Sequence, residues 1–201
     1  MEVASTPPTR RIGATTSKTR SQLLDAAEQL LLEEGYAAVT SRRVGAKAGL
    51  KPQLVHYYFR SMEDLFLEVF RRRADENLAR AERALAAGGS LRTLWKLNAD
   101  LRGVAFSIEF VALANHHKAV RAEVARYAER FRAMQLEAMT RALAEDGVAG
   151  DVPPVAALLL MTGLTQVLSL ERALGVIAGH DETLAFVERV VGHLEPPTSG
   201  G

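Results

Sequence analysis

A chain of 201 residues, 48 % hydrophobic and 24 % charged, is long enough to bury a substantial core as one large or two small domains, and its composition is not that of a disordered segment. With no cysteine it has no disulfide framework, no thiol chemistry and no Cys-ligated zinc or iron–sulfur cluster. The 25 Lys+Arg against 24 Asp+Glu leave a formal net charge of +1, which taken alone speaks against a nucleic-acid partner.

The N-terminal stretch MEVASTPPTRRIGATTS has two arginines but no apolar run behind them, and Pro7-Pro8 stand where a secretory segment would need to be helical, so residues 1–16 read as a flexible basic arm. Helices follow almost throughout, because Ala, Leu, Glu and Arg dominate and apolar residues recur at three and four. The first spans about Ser17–Glu34, with Leu23, Leu24, Ala27, Leu30 and Leu31 on one stripe and Gly35 closing it. Thr40 or Ser41 starts a short helix that ends at Gly49, and Pro52 starts another that ends near Tyr58. A long helix runs from Ser61 to about Ala87, its N-cap serine followed by Glu63 and Asp64 in the first turn. Further helices are predicted over Leu91–Arg102, Val104–Ala114, His117–Glu145, Pro154–Ala178 and Glu182–Leu194, and residues 196–201 read as a tail. Val152 to Leu170 carry no charge over 19 residues, close to the minimum for a membrane span. Pro153-Pro154 at its start, the polar Thr162, Thr165, Gln166 and Ser169 within it and Glu171-Arg172 at its end favour a buried helix of a soluble, cytoplasmic protein instead. A helix apolar around most of its circumference needs cover on several sides, and a second subunit can supply it.

Charge is not evenly spread. Residues 1–60 hold nine basic residues (Arg10, Arg11, Lys18, Arg20, Arg42, Arg43, Lys47, Lys51, Arg60) and five acids, net +4, which leaves −3 for the rest. Phosphate neutralisation depends on the local field, so the first 60 residues are the candidate polyanion-binding part. Within them Thr40 to Phe59 describe two short helices joined at Gly49, held at an angle by Val44, Ala48, Leu50, Val55 and Phe59. This is a helix-turn-helix whose second helix turns Pro52, Gln53, His56 and Tyr57 outward, a face suited to a major groove. Phe59 reads as core, Arg43 and Lys47 as solvated surface, and the arm cations as either a minor-groove contact or a generic basic tail.

From Ser17 to about Phe70 the chain resembles the tetracycline-repressor (TetR) family: an amphipathic helix ending Glu-Glu-Gly-Tyr, then Thr40, Ala-Gly-Leu before the recognition helix, Tyr57-Tyr58-Phe59, and Glu63-Asp64-Leu65. The resemblance implies an all-α fold, with a three-helix DNA-binding head over 17–62 and a helical ligand-binding and dimerisation bundle over 63–195. It implies a homodimeric regulator, most simply a repressor, on a palindromic double-stranded operator. On matching positions it implies that Thr40 caps the second helix and touches phosphate with Ser41 beside it, and that Arg42 reaches a base edge or phosphate. Pro52, Gln53 and His56 become the base-facing set, with Tyr57 and Tyr58 towards the backbone. Three positions depart from the pattern: Lys51 stands where a capping serine is common, His56 where tyrosine is frequent, and Met62 where lysine is common, which removes one expected phosphate contact and leaves Arg60 or Lys51 as the candidates to replace it.

In the remaining chain Trp95, Asn98, Phe106, Phe110, Tyr127, Phe131, Met134, Thr162 and Gln166 are bulky or polar residues on apolar helices, suited either to core packing or to lining a small-molecule cavity for a hydrophobic or amphipathic effector. The resemblance implies that the helices 154–178 and 182–194 pair with those of a second subunit. No catalytic motif or cofactor fingerprint is present, and the adjacent His116-His117 point about 100° apart on a helix, so neither an enzyme, a cofactor nor a metal site is expected.

Overall fold

The computed structural model describes residues 12–99, 101–145 and 152–194. The elements are α1 (Ile12–Glu34), a 3₁₀ turn (Tyr36–Ala38), α2 (Ser41–Ala48), α3 (Gln53–Tyr58), α4 (Met62–Ala87), α5 (Leu91–Asn98), α6 (Leu101–Ala114), α7 (Lys118–Glu145), α8 (Pro154–Ala173) and α9 (His180–Leu194), with no strand among the described residues. The chain divides into two compact units, Met1–Val69 and Phe70–Gly201. That boundary lies inside α4 rather than at its start, because Leu65, Phe66, Leu67 and Val69 are buried and extend the first unit by two helical turns. Residues 12–16, expected in the arm, already belong to α1, while Arg10, Arg11 and the tail lie outside the described residues.

In the first unit α1 buries the expected stripe of Leu23, Leu24, Ala27, Leu30 and Leu31. Thr40, extended at φ −118°, caps α2 by accepting from the Arg43 N–H at 3.3 Å. The helix stops at Gly49, whose φ of +67° is the left-handed conformation that glycine adopts without steric cost. Gly49 N–H bonds back to the Ala46 carbonyl at 3.1 Å and Leu50 N–H to that of Gly45 at 2.8 Å, which satisfies two of the last four carbonyls of α2. Pro52 itself is the N-cap of α3, so that helix is one residue shorter than expected. Arg43 and Lys47, expected as solvated surface, are exposed and tie α2 to the end of α1: Arg43 pairs with Glu34, and Lys47 with Glu33 at 2.6 Å. Arg20 bonds Glu68 at 2.5 Å and lies 5.3 Å from the Phe59 ring centre, joining α1 to α4 and to the end of α3.

In the second unit Leu85, Leu91, Leu94, Ala138, Met139, Ala142, Leu143, Leu158 and Val191 form one buried cluster from α4, α5, α7, α8 and α9. The break expected at Gly103 falls at Asn98, whose side-chain amide turns back on the Leu94 carbonyl at 2.9 Å, while Gly103 lies within α6. The helix expected over 154–178 ends at Ala173. Val176 N–H bonds the Glu171 carbonyl at 2.9 Å and Gly175 N–H that of Arg172 at 3.1 Å, with Gly175 at φ +79°. Buried His180 begins α9, two residues before the expected start, and its Nε2 lies 2.9 Å from Glu171 Oε2, closing the α8–α9 corner.

α8 is long and apolar enough to cross a membrane, yet only 17 % of that stretch is buried. Leu160 is 75 % exposed and Phe186 on α9 59 %, and Val155, Leu159, Val167, Leu170 and Val190 are exposed too.

The turn in the first unit leaves no room for a side chain at Gly45: a Cβ there would lie 3.0 Å from the Leu50 carbonyl oxygen and from Pro52 N and Cα, all main-chain atoms that cannot swing aside. Gly45→Ala is expected to destabilise this unit by about 1–3 kcal/mol, the usual cost of overpacking. Denaturant unfolding followed by circular dichroism checks this, and an unchanged midpoint would show that the turn yields.

Candidate nucleic-acid interface and ligand cavity

The face of the first unit is set by which side of α3 is buried. Val55 and the following Phe59 point inward, so Gln53, His56 and Tyr57, spaced at three and four, share the outer side. All three are exposed, Tyr57 to 75 %, and its ring stands edge-on to that of Tyr58 with centroids 5.0 Å apart. Pro52 and Tyr58 are half-buried at the rim of the same face. Thr40 and Arg42 at the start of α2 are exposed and Ser41 half-buried, while Lys51 and Arg60 are exposed at either end of α3. The cations divide into two sets. Arg43 and Lys47 are neutralised by Glu34 and Glu33, whereas Arg42, Lys51 and Arg60 form no ion pair with a described residue. The Glu34 carboxyl is accordingly held below its usual range by its hydrogen bond with Arg43. The surface thus offers fixed positive charge around a short polar and aromatic helix, which is the chemistry of phosphate contact flanking base-edge contact.

The second unit encloses a cavity of about 640 Å³. Of the sequence candidates, Asn98, Phe106, Phe110, Tyr127, Phe131, Thr162 and Gln166 line it. Trp95 and Met134 do not: Trp95 is buried in α5 away from the lining, and Met134 packs against the Leu85–Val191 core cluster. Reasoning from sequence missed the contribution of α4, where Phe70, Arg73, Asn77 and Arg80 lie along one stripe of the helix at intervals of three and four. That periodicity was readable, but nothing in it tells a cavity wall from a packed face.

Aromatic rings form the apolar wall. Phe70 lies 4.9 Å from Phe110 and 5.6 Å from Tyr127, Phe106 and Phe110 are 4.6 Å apart, and Tyr127 stacks on Phe131 at 5.7 Å. Polar groups enter at defined points. Arg80 donates to Asn77 Oδ1 at 2.7 Å, and Asn77 Nδ2 in turn donates to the Tyr127 hydroxyl, which keeps its own proton to give. Burial raises the Tyr127 phenol above its ordinary range, so it stays protonated at neutral pH. Gln135, one turn beyond Phe131 on α7, is 2 % exposed, and its Nε2 is buried without a hydrogen-bond partner. No group of three or more potential metal ligands occurs among the described residues.

Residues 23–69 match the profile described as bacterial regulatory proteins, tetR family. The likeness to that family lies in these residues of the first unit. Over 124 residues it is 32 % identical to the HTH-type transcriptional regulator BetI of Rhizobium meliloti (strain 1021), an alignment spanning 56 % of this chain and 60 % of the relative's length. The fold is shared with a TetR transcription regulator from Haloarcula marismortui (TM-score 0.68, 17 % identity, 87 % of this chain and 96 % of that one). It is also shared with a protein from Saccharomonospora viridis solved in complex with choline (TM-score 0.71, 17 % identity, 86 % and 96 %). The match ends at Val69, the last residue of the first unit. The matching profile and the Rhizobium meliloti relative are both described as regulatory proteins.

The unpartnered amide gives a stability prediction. A buried donor without a partner costs about 1–3 kcal/mol, so Gln135→Met, which keeps the length and removes the donor, should stabilise the ligand-free protein by that order. For a chain of this size that is a rise in Tm of several degrees in a calorimetric scan. A lower Tm would show that the amide is satisfied in solution.

Proposed function

We propose that this protein is a ligand-responsive DNA-binding transcriptional regulator of the cytoplasm, acting as a homodimer on a palindromic operator and, as a repressor, released by a small hydrophobic or amphipathic molecule. The observation that carries the reading is the outer face of α3, where Gln53, His56 and Tyr57 stand exposed between Arg42, Lys51 and Arg60, cations without an ion pair among the described residues. In the major groove Gln53 pairs with adenine and Arg42 with guanine, while Lys51, Arg60, Thr40 and Ser41 hold phosphates and Tyr57 and Tyr58 pack on the backbone. Arg60, on the turn into α4, takes the part of the lysine missing at Met62.

Dimerisation is supported by the uncovered apolar side of α8 and α9. Leu159, Leu160, Leu170, Phe186 and Val190 together expose more large apolar side chains than a solvated monomer keeps without a partner. A two-fold pairing of these helices would bury them and present two recognition helices to one duplex. The cavity supports the effector. Its size suits a small molecule, and α4 carries both ends of the response, since Met62–Val69 belong to the first unit and Phe70, Asn77 and Arg80 line the cavity. An effector releases DNA only if it binds the low-affinity spacing of the two heads more tightly than the DNA-bound one.

Binding of variants to a selected operator tests the head. Gln53→Ala and Arg42→Ala are expected to lose about 1–3 kcal/mol of discrimination, each at one base position. Lys51→Ala should weaken all sequences alike and lower the salt slope by about one. Unchanged affinity, preference and salt slope in all three would exclude this face.

A further inference from the structure

We propose that the cavity ends in a hydrogen-bonding floor that takes an uncharged oxygen, a carbonyl or hydroxyl, of an otherwise apolar ligand, with the Gln135 amide as its donor. This rests on the reading of the cavity as the effector site and adds the chemical class of its ligand. Helical spacing places the floor. Leu94 on α5, Met139 on α7 and Leu158 on α8 belong to one buried cluster. One turn from each of them stand Asn98, Gln135 and Thr162, and all three line the cavity. Each of the three helices therefore passes from sealed core to cavity within a turn, and what it presents there is an amide or a hydroxyl. Thr165, 1 % exposed, adds a second hydroxyl from α8.

What these groups still have to give is not the same. The Thr162 hydroxyl donates to the Leu158 carbonyl at 2.8 Å, and that of Thr165 to the Met161 and Thr162 carbonyls at 3.1 and 2.9 Å, so both hydroxyl protons are spent on α8 itself. The Asn98 amide turns an N–H back to the Leu94 carbonyl at 2.9 Å. Two buried side-chain nitrogens among the described residues have no hydrogen-bond partner, Gln135 Nε2 and His180 Nδ1, and of these Gln135 lines the cavity. Buried donors are rarely left unmet, and an oxygen of the ligand meets this one. The terminal torsion of glutamine is broad, so the amide can turn towards that oxygen. An ion would leave its water for neutral amides and hydroxyls, a costly exchange without a counter-charge, whereas a neutral oxygen gives up much less. The apolar remainder of the ligand then lies against Phe106, Phe110 and Phe131, the last of them one turn from Gln135.

Three probes share a phenylethyl group and nearly one shape: benzylacetone ends in a ketone, hydrocinnamate in a carboxylate and isopentylbenzene in a branched hydrocarbon. Their affinities for the full-length protein and for Gln135→Met, measured by calorimetry below each probe's solubility limit, are compared as ratios, which cancels what distinguishes the probes in water. The ratio of benzylacetone to isopentylbenzene affinity is expected to fall at least about fivefold in Gln135→Met. Isopentylbenzene itself should change by less than about twofold, which also reports that the cavity remains folded. Hydrocinnamate at neutral pH is expected to bind the unaltered protein at least about tenfold more weakly than benzylacetone. An unchanged ratio, equal losses of ketone and hydrocarbon in the variant, tighter binding of hydrocinnamate, or no binding of any probe would overturn the proposal. Operator release, read by fluorescence anisotropy in the same titrations, keeps the two claims apart. Benzylacetone that binds through Gln135 without releasing DNA refutes the sensor and leaves the ligand class standing. Release by hydrocinnamate alone refutes the ligand class and leaves the sensor.

Discussion

The outer face of α3 depends on an approach between α2 and the turn to α3 that only a residue without a side chain permits. Gly45 meets the main chain of Leu50 and Pro52 at a distance that a Cβ would reduce to 3.0 Å, and four residues later Gly49 reverses the chain in a left-handed conformation. Together they fix the angle of α3, and that angle decides that Val55 and Phe59 enter the core while Gln53, His56 and Tyr57 do not. Arg43–Glu34 and Lys47–Glu33 then tether α2 to α1 from the outside. Such exposed pairs contribute little stability, on the order of 0–1 kcal/mol each, so their main consequence is electrostatic. They take two of the nine cations of the first 60 residues into ion pairs, as Glu68 does a third, Arg20, while Arg42, Lys51 and Arg60 around α3 form no ion pair with a described residue.

The second unit solves a different problem with apolar surface. α8 lines the cavity through Thr162, Thr165 and Gln166 and leaves Leu159 and Leu160 uncovered, so one helix faces both an internal space and the outside. Any molecule that moves α8 from within changes what a second subunit meets from without, which is the physical form a coupling between effector and dimer would take. The aromatic wall, the Asn77–Tyr127 hydrogen bond and the Gln135 amide, whose Nε2 lacks a hydrogen-bond partner, give the cavity both apolar and polar surfaces.

Much of this was legible in the sequence, where a residue type had one conformational use. Gly49 and Pro52 marked the turn, Thr40 the cap, and the leucine stripe of α1 the core face. What stayed hidden depended on contacts between distant positions. The break falls after Asn98, while Gly103, the obvious breaker, is tolerated in α6. Arg43 and Lys47 meet glutamates nine and fourteen residues earlier, which no helical spacing signals. Trp95 and Met134 have the same apolar character as Phe106 and Phe131, and only the packing decides which pair faces the core and which the cavity. Counting charge by segment located the basic head, yet it counted braced and available cations alike.

The central claim is that two copies of this head read one symmetric DNA site. Selection of binding sequences from random duplex DNA with the full-length protein tests it most directly. The account predicts enrichment of an inverted repeat whose half-sites lie in successive major grooves, about one helical turn apart or a multiple of it. Enrichment of no sequence, or of a single half-site without its inverted partner, would contradict it.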